Sequence, residues 1–150
     1  MVEALESLYR ERLADFTRAA AAIAGDGEAG RDAVQEAFAL AIRKHRGFRG
    51  EGSLEGWVWR IVLNVARDAR RKSQRAPLVS EPIYDRAETL GLPLQVLTNR
   101  QREVLFLHYY ACLDYGTIAQ ALEISPGTVG ATLSAARTAL RAALTKESTR

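Results

Sequence analysis

One stripe of a predicted helix carries side chains suited to binding nucleic acid. Four polar positions spaced i, i+4, i+7 and i+11 fall on one side of that helix: Arg60, Asn64, Arg67 and Arg71. Trp57 lies at the border between this stripe and the apolar face. Guanidinium groups attract phosphate, an Asn amide can pair with a base edge, and an exposed indole can stack on an unpaired base. A solvated polar face with Trp57 in the core is the alternative interpretation.

Positive charge is concentrated in the first half of the chain, where this stripe lies. Residues 1–75 hold 14 Lys and Arg against 11 Asp and Glu, whereas residues 76–150 hold 7 of each sign. The densest run, RDARRKSQR at 67–75, has five positive charges and one negative charge. Such a run is typical either of a nucleic-acid contact or of a helix end, where cations suit the helix dipole.

Residue sets that carry out enzymatic chemistry are not apparent in the sequence. His45 and His108 have no Cys or carboxylate set at metal spacing, and no Ser stands in a nucleophile-elbow pattern. The single Cys112 permits no internal disulfide, which favours a reducing, cytoplasmic setting. No apolar run approaches the ~20 residues that span a membrane, and no signal peptide is recognisable. We therefore expect a cytoplasmic, non-enzymatic protein without metal, cofactor or membrane insertion.

Apolar periodicity predicts an all-α chain that positions the stripe. The first predicted helix ends at GDGEAG and has a core face of Leu5, Leu8, Tyr9, Leu13, Phe16, Ala20 and Ile23. The second opens near Asp32, ends before RGFRGEG and has a core face of Val34, Ala37, Phe38, Ala41 and Ile42. Ser53 suits the N-cap of the third, whose core face is Leu54, Val58, Ile61 and Val65.

The second half predicts a linker and then further helices. Ser73 to Pro93 contains three of the four prolines and no sustained period, which indicates a linker. Beyond it, Thr98 and Gln101 form a capping-box pattern, and Asp114 suits the N-cap of a short helix. We predict a helical bundle at 1–72, a flexible linker at 73–92 and a four-helix helix-turn-helix domain at 93–146.

The stretch SPGTVGATLSAAR, at 125–137, predicts the second helix of the helix-turn-helix, with Val129, Leu133, Ala136 and Leu140 buried. No charged residue lies between Glu123 and Arg137. Glu123 stands at a turn position that often needs positive φ, where glycine is favoured. This helix can contact DNA through hydroxyl and methyl groups, through close approach of its backbone and through two phosphate contacts. The candidate residues are Ser125, Thr128, Gly130, Ala131, Thr132, Ser134, Arg137 and Arg141. Docking of this helix on protein is the alternative.

The order of these pieces resembles a small sigma factor of the extracytoplasmic-function group of the sigma-70 family. The resemblance rests on DAVQEAFALAIRKHRGFRGEGSLEGWVWRIVLNVARDARRK, followed beyond the linker by LTNRQREVLFLHYYACLDYGTIAQALEIS. It covers residues ~5–72 and ~93–144. It implies a subunit of bacterial RNA polymerase that directs the core enzyme to specific promoters and assists promoter melting.

The resemblance also implies roles for individual residues. The helix at 32–45 would dock on a coiled coil of the largest polymerase subunit through Asp32, Gln35, Glu36 and Arg43. The flap of the second-largest subunit and an anti-sigma factor are further implied partners. The loop GFRGEG would capture a base flipped from the −10 strand. The implied −10 residues are Phe48, Arg49, Ser53, Trp57, Arg60, Asn64, Arg67 and Arg71.

The last helix would bind the −35 element. Relatives usually carry Lys or Arg at the positions of Gly130, Thr132 and Ala135, and this chain departs at all three.

Two other functions stay open at the level of sequence. One is a stand-alone helix-turn-helix transcription regulator, in which the first half would be a sensor or dimerisation bundle. The other is a degenerate sigma-like interaction module that sequesters another factor. Binding to core polymerase separates a sigma factor from the first, and promoter-dependent RNA synthesis separates it from the second.

Overall fold

The computed structural model describes residues 1–73 and 93–148, and those ranges contain helices and no strand. The all-α prediction is therefore confirmed. The predicted flexible linker lies outside the described residues, except for Ser73 at the end of the third helix. The α-helices in these ranges are α1 Val2–Ala24, α2 Gly27–Arg43, α3 Leu54–Ser73, α4 Asn99–Tyr109, α5 Tyr115–Leu122 and α6 Pro126–Ser148. Short 3-10 turns at His45–Gly47 and Leu94–Val96 precede α3 and α4, respectively. The turn at Leu94–Val96 and helices α4–α6 together form four helical elements in the second half of the chain.

Aromatic packing holds α1, α2 and α3 together. Phe16 of α1 lies between Phe38 of α2, at a ring-centroid distance of 5.3 Å, and Trp59 of α3, at 4.3 Å. Phe16 and Trp59 are fully buried. Such aromatic pairs contribute about 0.5–1.5 kcal/mol each beyond the burial of their surface. This core fixes which side of α3 stays outside.

The glycine-rich stretch between α1 and α2 is a tight helix–helix corner. Gly25 ends α1 with a φ of 104°, and the Asp26 carboxylate accepts a hydrogen bond from Ala29 N at 2.7 Å. The expected start of α2 near Asp32 was therefore wrong, because this cap begins the helix at Gly27 before any apolar repeat appears. A Cβ at buried Gly30 would lie 2.5 Å from Ala21 Cα, so glycine there lets α1 and α2 touch.

The loop into α3 has the features that its sequence predicts. The Ser53 hydroxyl accepts a hydrogen bond from Gly56 N at 3.0 Å and so caps the helix. Gly50 and Gly52 have φ angles of 76° and 77°, a region in which residues with a Cβ are strained. The loop therefore turns sharply between the end of α2 and the start of α3.

The second half is a helix-turn-helix in which the predicted caps are present. Thr98 and Gln101 form the capping box, with bonds of 3.0 and 3.1 Å. Asp114 caps α5 by accepting from Thr117 N at 2.7 Å. Hydrogen bonds from the Thr117 backbone and side chain hold the pKa of the Asp114 carboxyl below its ordinary value. Glu123, in the turn between α5 and α6, has a φ of 59°, which is the left-handed region expected for that position.

Some predicted core positions lie at the surface. Leu13 is 37% exposed and Ile42 is 46% exposed, whereas Val129, Leu133 and Ala136 of α6 are fully buried. Leu140 is partly buried against the core. Helical periodicity gives the direction of an apolar face, but it does not tell how far neighbouring helices extend over it.

The two halves of the chain also pack on each other. Helix α3 lies against α5, and α1 contacts α4. The Arg12 guanidinium of α1 donates a hydrogen bond to the Ala111 carbonyl at 3.3 Å. The polar stripe of α3 therefore meets the helix-turn-helix rather than open solvent alone.

Candidate nucleic-acid interface

The structure brings the predicted stripe residues of α3 to one surface. Arg60, Asn64 and Arg71 are exposed, and Arg67 is half-buried. The Asn64 side-chain oxygen accepts a hydrogen bond from Arg67 at 3.3 Å. Arg71 lies 3.5 Å from Asp68, and both of these side chains are largely exposed. The surface thus combines guanidinium groups with one amide at helical spacing.

An aromatic pair lies beside the stripe. Phe48, from the loop before α3, packs on Trp57 with ring centroids 5.5 Å apart and planes tilted by 46°. Both residues are half-buried, and neighbouring Arg49 is exposed. Solvent-accessible aromatic surface of this kind can stack on an unpaired base, with a contribution of about 1–3 kcal/mol per base.

Ser53, at the start of α3, is bound by a side chain of α5. The Gln120 amide nitrogen donates to the Ser53 carbonyl at 2.9 Å. Its amide oxygen accepts from Ser53 N at 3.1 Å and from the Ser53 hydroxyl at 3.2 Å. A Cβ at Gly56 would lie 2.2 Å from that oxygen, so the Gln120 carboxamide occupies space that only glycine leaves open.

Two stripe arginines are paired with carboxylates of the second half. Arg60 lies 3.1 Å from Glu123, in the turn after α5. Arg67 donates two hydrogen bonds to Glu103 of α4, at 2.9 and 3.2 Å. Three predicted −10 residues, Ser53, Arg60 and Arg67, are therefore bound by side chains of the second half.

The predicted reading helix α6 exposes small side chains. Thr128, Ala131 and Ser134 are exposed, whereas Gly130 and Thr132 are half-buried. A Cβ at Gly130 would lie 3.4 Å from the Tyr115 ring, which explains its partial cover. The Thr132 hydroxyl donates to the Thr128 carbonyl at 2.7 Å, so its proton is already used. The Ser125 hydroxyl caps the helix by accepting from Thr128 N at 3.1 Å.

The two arginines of α6 differ in their surroundings. Arg137 donates to the Tyr109 hydroxyl at 2.8 Å and lies over the Tyr109 ring, 5.5 Å from its centroid. The hydrogen bond to Tyr109 raises the pKa of Arg137, which stays fully charged. Arg141 is exposed one turn further along the helix. Both guanidinium groups keep a positive charge near the exposed face of α6.

The polar face of α2 lies at another surface of the bundle. Its predicted polymerase-binding residues are all exposed: Asp32, Gln35, Glu36 and Arg43. Gln35 also borders an apolar groove of about 450 Å³ between α1 and α2, together with Tyr9, Phe38 and Ile42. Exposed Ile42 thus belongs to a surface that a partner can bury.

Two family models match this chain, one in each of its two halves. The model for Sigma-70 region 2 matches residues 8–76, and the model for Sigma-70, region 4 matches residues 88–140. This chain belongs to the sigma-70 family. It is a sigma factor of the extracytoplasmic-function group, and its function is promoter-specific initiation of transcription by RNA polymerase.

Individual relatives match most of this sigma factor. RNA polymerase sigma factor YlaC of Bacillus subtilis is 25% identical over 162 residues, covering 96% of this chain and 94% of that protein. RNA polymerase sigma-H factor of Pseudomonas aeruginosa is 27% identical over 144 residues, covering 79% and 75%. The solved structure of the sigma factor RpoE from Bartonella quintana, in complex with the anti-sigma factor NepR, has a TM-score of 0.72 at 21% identity, covering 95% of this chain and 98% of that chain. At this level of identity, the similarity shows that the two chains share a fold.

Sigma factors are generally non-enzymatic regulators. Within residues 1–73 and 93–148, no cluster of His, Cys, Asp and Glu has the makeup of a metal site. His45 and His108 contact backbone carbonyls through Nδ1, at 2.7 Å from Ile42 O and 3.1 Å from Leu113 O. Among the helices that the structure describes, none is both long enough and apolar enough for a membrane span.

Sequence reasoning missed the partners that the stripe has inside this sigma factor. Gln120, Glu103 and Glu123 contact α3 from the second half, and Ser53 and Gln120 are 67 positions apart. No local pattern links residues at that distance. The one available signal was Glu123, an acidic residue where the turn favours glycine.

Proposed function

We propose that this sigma factor binds the −10 strand through α3 and its preceding loop, within the helical bundle predicted at 1–72. The Phe48–Trp57 pair beside the stripe is the observation that carries this assignment. Extruding a base from the duplex costs a few kcal/mol, and stacking on this pair would offset that cost. Arg49, Arg60 and Arg67 would neutralise phosphates, and Asn64 would meet a base edge. Ser53, Trp57 and Arg71 complete the proposed −10 surface.

The helix-turn-helix domain predicted at 93–146 would bind the −35 element through α6. Its proposed contacts are Ser125, Thr128, Gly130, Ala131, Thr132, Ser134, Arg137 and Arg141. Each bidentate Arg–guanine pair that α6 lacks removes about 1–3 kcal/mol of base discrimination. We therefore propose that α6 docks by shape and small-group contacts, with phosphate contacts from Arg137 and Arg141.

A second role for α6 is docking on protein. Two observations favour it: Thr132 uses its hydroxyl proton within the helix, and Arg137 is held by Tyr109. A helix whose polar groups are already engaged presents few free donors to bases, while its exposed Ala131 and Ala135 suit an apolar partner surface. DNA binding remains the main proposal because Thr128, Ser134 and Arg141 are exposed.

Core polymerase would bind at two surfaces. Asp32, Gln35, Glu36 and Arg43 of α2 would meet the coiled coil of the largest subunit. The second domain would meet the flap of the second-largest subunit. The exposed position of all four α2 residues supports the first contact.

An anti-sigma factor is a further proposed partner. The structurally similar RpoE of Bartonella quintana was solved with the anti-sigma factor NepR. We propose that this sigma factor works in the cytoplasm, where bacterial polymerase transcribes. We also propose that it has no enzymatic activity, because promoter melting draws on binding energy and requires no hydrolysis.

Transcription in vitro tests this function. Core polymerase is incubated with the full chain and a library of templates with randomised −35 and −10 segments, and the transcripts are sequenced. We expect transcripts that depend on the chain and share upstream motifs. If the chain binds DNA in the absence of core polymerase and no transcripts appear, a stand-alone regulator would be favoured. Neither DNA binding nor transcripts would favour an interaction module.

A further inference from the structure

We propose that Tyr109 is a positioning residue for DNA binding, which holds the Arg137 guanidinium of α6 in the orientation that binds a phosphate of the −35 element. The inference rests on the proposed function, because it takes α6 to be the helix that binds this element. Tyr109 is the last residue of α4, so the contact comes from outside the reading helix.

A tight loop brings two tyrosines to the same side of α6. Tyr109 ends α4 and Tyr115 begins α5, and Cys112 between them has a φ of 57°. His108 lies against both phenol rings, with ring centroids 4.9 Å from Tyr109 and 5.4 Å from Tyr115. Its Nδ1 contacts the Leu113 carbonyl at 3.1 Å, which ties the imidazole to the loop. Each phenol ring therefore has a neighbour that restricts its rotation.

Tyr109 contacts the guanidinium of Arg137 in two ways. Its hydroxyl accepts a hydrogen bond from Arg137 Nε at 2.8 Å, and its ring centroid lies 5.5 Å from the guanidinium carbon. This hydrogen bond is the main cause of the raised pKa of Arg137, and Tyr115 acts in the same direction. Tyr109 is 51% exposed, so the pair lies at the surface, where DNA can reach it.

The contact leaves part of the guanidinium for an anion. A guanidinium carries five N–H donors in a planar fork, and two parallel donors can bind one phosphate. Tyr109 takes the Nε donor, so the Nη groups are the ones that meet the phosphate. Among the residues that the structure describes, no carboxylate pairs with Arg137, in contrast to Arg60 and Arg67 of α3.

The position of Arg137 along α6 favours a phosphate over a base edge. The first turns of a recognition helix meet the base edges, and Arg137 lies about 13 Å beyond Thr128 along the helix axis. The major groove is about 12 Å wide, so the guanidinium reaches the sugar–phosphate backbone at the edge of the groove. A guanidinium that is already held there loses less conformational entropy on binding than a mobile one.

The tyrosines compensate for the shortage of charge on α6. No charged residue lies between Glu123 and Arg137, so few cations of this helix can attract DNA. A Cβ at Gly130 would lie 3.4 Å from the Tyr115 ring, so an aromatic side chain of α5 covers α6 where the helix has none of its own. The reading surface is thus built by α4, α5 and α6 together, and its phosphate contact is preorganised.

The order of the Arg137 side chain is measured in the free full-length chain by nuclear magnetic resonance. Labelling with 15N shows the arginine Nε–H groups, and Arg137→Ala identifies the Arg137 signal by its loss. We expect a higher order parameter for Arg137 than for Arg141, which is exposed on the same helix. Tyr109→Phe keeps the ring, removes the hydroxyl and should lower the value for Arg137.

Tyr110→Phe is the matched control for the loss of a hydroxyl. Tyr110 is the next residue in the chain, but its ring packs on Phe106, with centroids 5.1 Å apart. This variant should leave the order parameter of Arg137 unchanged. An equal order parameter in Tyr109→Phe and the parent would overturn the proposal, because Tyr109 would then not hold the guanidinium.

DNA binding is measured on the holoenzyme across a salt series, with a promoter duplex selected from the randomised library. Tyr109→Phe should bind about threefold to tenfold more weakly than the parent, which is the cost of ordering one long side chain on binding. Its salt slope should be unchanged, because the charge of Arg137 is kept. Arg137→Ala should weaken binding and also lower the slope by about 0.9, the value for one phosphate. Tyr110→Phe should bind like the parent.

A double-mutant cycle shows whether Tyr109 acts through Arg137. In the Arg137→Ala background, Tyr109→Phe should cause no further loss of affinity for the promoter. An equal loss in both backgrounds would show that Tyr109 acts independently of Arg137, and it would overturn the positioning role. All variants should keep the parent's affinity for core polymerase. A loss of that affinity without a loss in DNA binding would place the guanidinium on polymerase and overturn the phosphate contact.

The outcomes separate the inference from the function on which it rests. If Arg137→Ala weakens binding and lowers the slope but Tyr109→Phe matches the parent, the −35 contact stands and the positioning role is overturned. If Arg137→Ala changes neither the affinity nor the slope, the assignment of Arg137 to the −35 element fails, and the inference fails with it.

Discussion

Glu103 of α4 accepts two hydrogen bonds from Arg67 of α3, from Nε at 3.2 Å and from Nη2 at 2.9 Å. Their side chains are only 14% and 27% exposed, so solvent screens this pair less than the exposed pair of Arg60 and Glu123. Arg100 stands 3.7 Å from the same carboxylate. A carboxylate of the helix-turn-helix half thus holds a guanidinium of the proposed strand-binding surface.

Replacement of Gly30 by Ala tests the corner between α1 and α2. The new Cβ would lie 2.5 Å from Ala21 Cα and 2.6 Å from Ala21 N, and backbone atoms cannot move aside as a side chain can. We expect the free energy of unfolding to fall by about 1–3 kcal/mol. Urea denaturation followed by circular dichroism measures it, with Gly116→Ala as control. Equal stability of Gly30→Ala and the parent would contradict the close helix contact.

The Asp114 cap predicts a specific pH dependence. The hydrogen bonds from Thr117 lower the pKa of the Asp114 carboxyl from its ordinary 3.8. Its charged form therefore stabilises the folded state at pH values above that ordinary pKa. This contribution is lost as the pH falls through the lowered pKa. In Asp114→Asn an oxygen still caps α5, but the titration is removed. Unfolding free energies measured from pH 7 to pH 3 should fall more steeply for the parent, and parallel curves would count against the cap as the source.

Charge reversal on α2 tests the polymerase contact. Glu36 is exposed and pairs with no residue in the described part of the chain. Glu36→Lys should weaken binding to core polymerase, because it places a cation where the partner is expected to meet an anion, and it should leave helicity unchanged. Glu11→Lys on α1 carries the same change of net charge and is the control. Equal affinities in a fluorescence titration with core polymerase would remove Glu36 from the contact surface.

The salt dependence of promoter binding tests the character of α6. Each phosphate contact adds about 0.9 to the slope of log affinity against log salt. Replacing Arg137 and Arg141 together by Ala in the holoenzyme should therefore lower that slope by at most about 2. Arg18→Ala on α1 is a control outside the proposed interfaces. An unchanged slope would favour docking of α6 on protein.

The helices were predictable wherever local chemistry determines them. Ser53, Thr98 and Asp114 were identified as caps because a cap acts within three residues of itself, and each makes the expected bond. The start of α2 was missed because Asp26 caps a turn that has no apolar repeat. The exposure of Ile42 was missed because it depends on where α1 ends its cover of α2, which is a property of tertiary packing.

The residues of the candidate site were likewise predictable only where local spacing places them. Arg60, Asn64 and Arg67 were found together because helical spacing alone places them on one side of α3. The contacts that Gln120 makes with Ser53 and Glu103 makes with Arg67 were not found, because they depend on how the two halves pack. Phe48 and Trp57 were assigned through family resemblance, and their ring contact could not be derived from spacing across a loop.

Permanganate footprinting of the open complex tests the central claim most directly. The reagent reports unpaired thymines in complexes of core polymerase, this sigma factor and a promoter selected from the randomised library. Phe48→Ala and Asn64→Ala should reduce the −10 footprint while closed-complex binding persists. For Phe48→Ala the open complex should lose about 1–3 kcal/mol of binding free energy, the range for stacking one base on one ring. Phe48→Tyr, which keeps a ring, should retain most of it. Footprints of Phe48→Ala and Asn64→Ala equal to that of the parent would contradict the assignment of this surface to the melted strand.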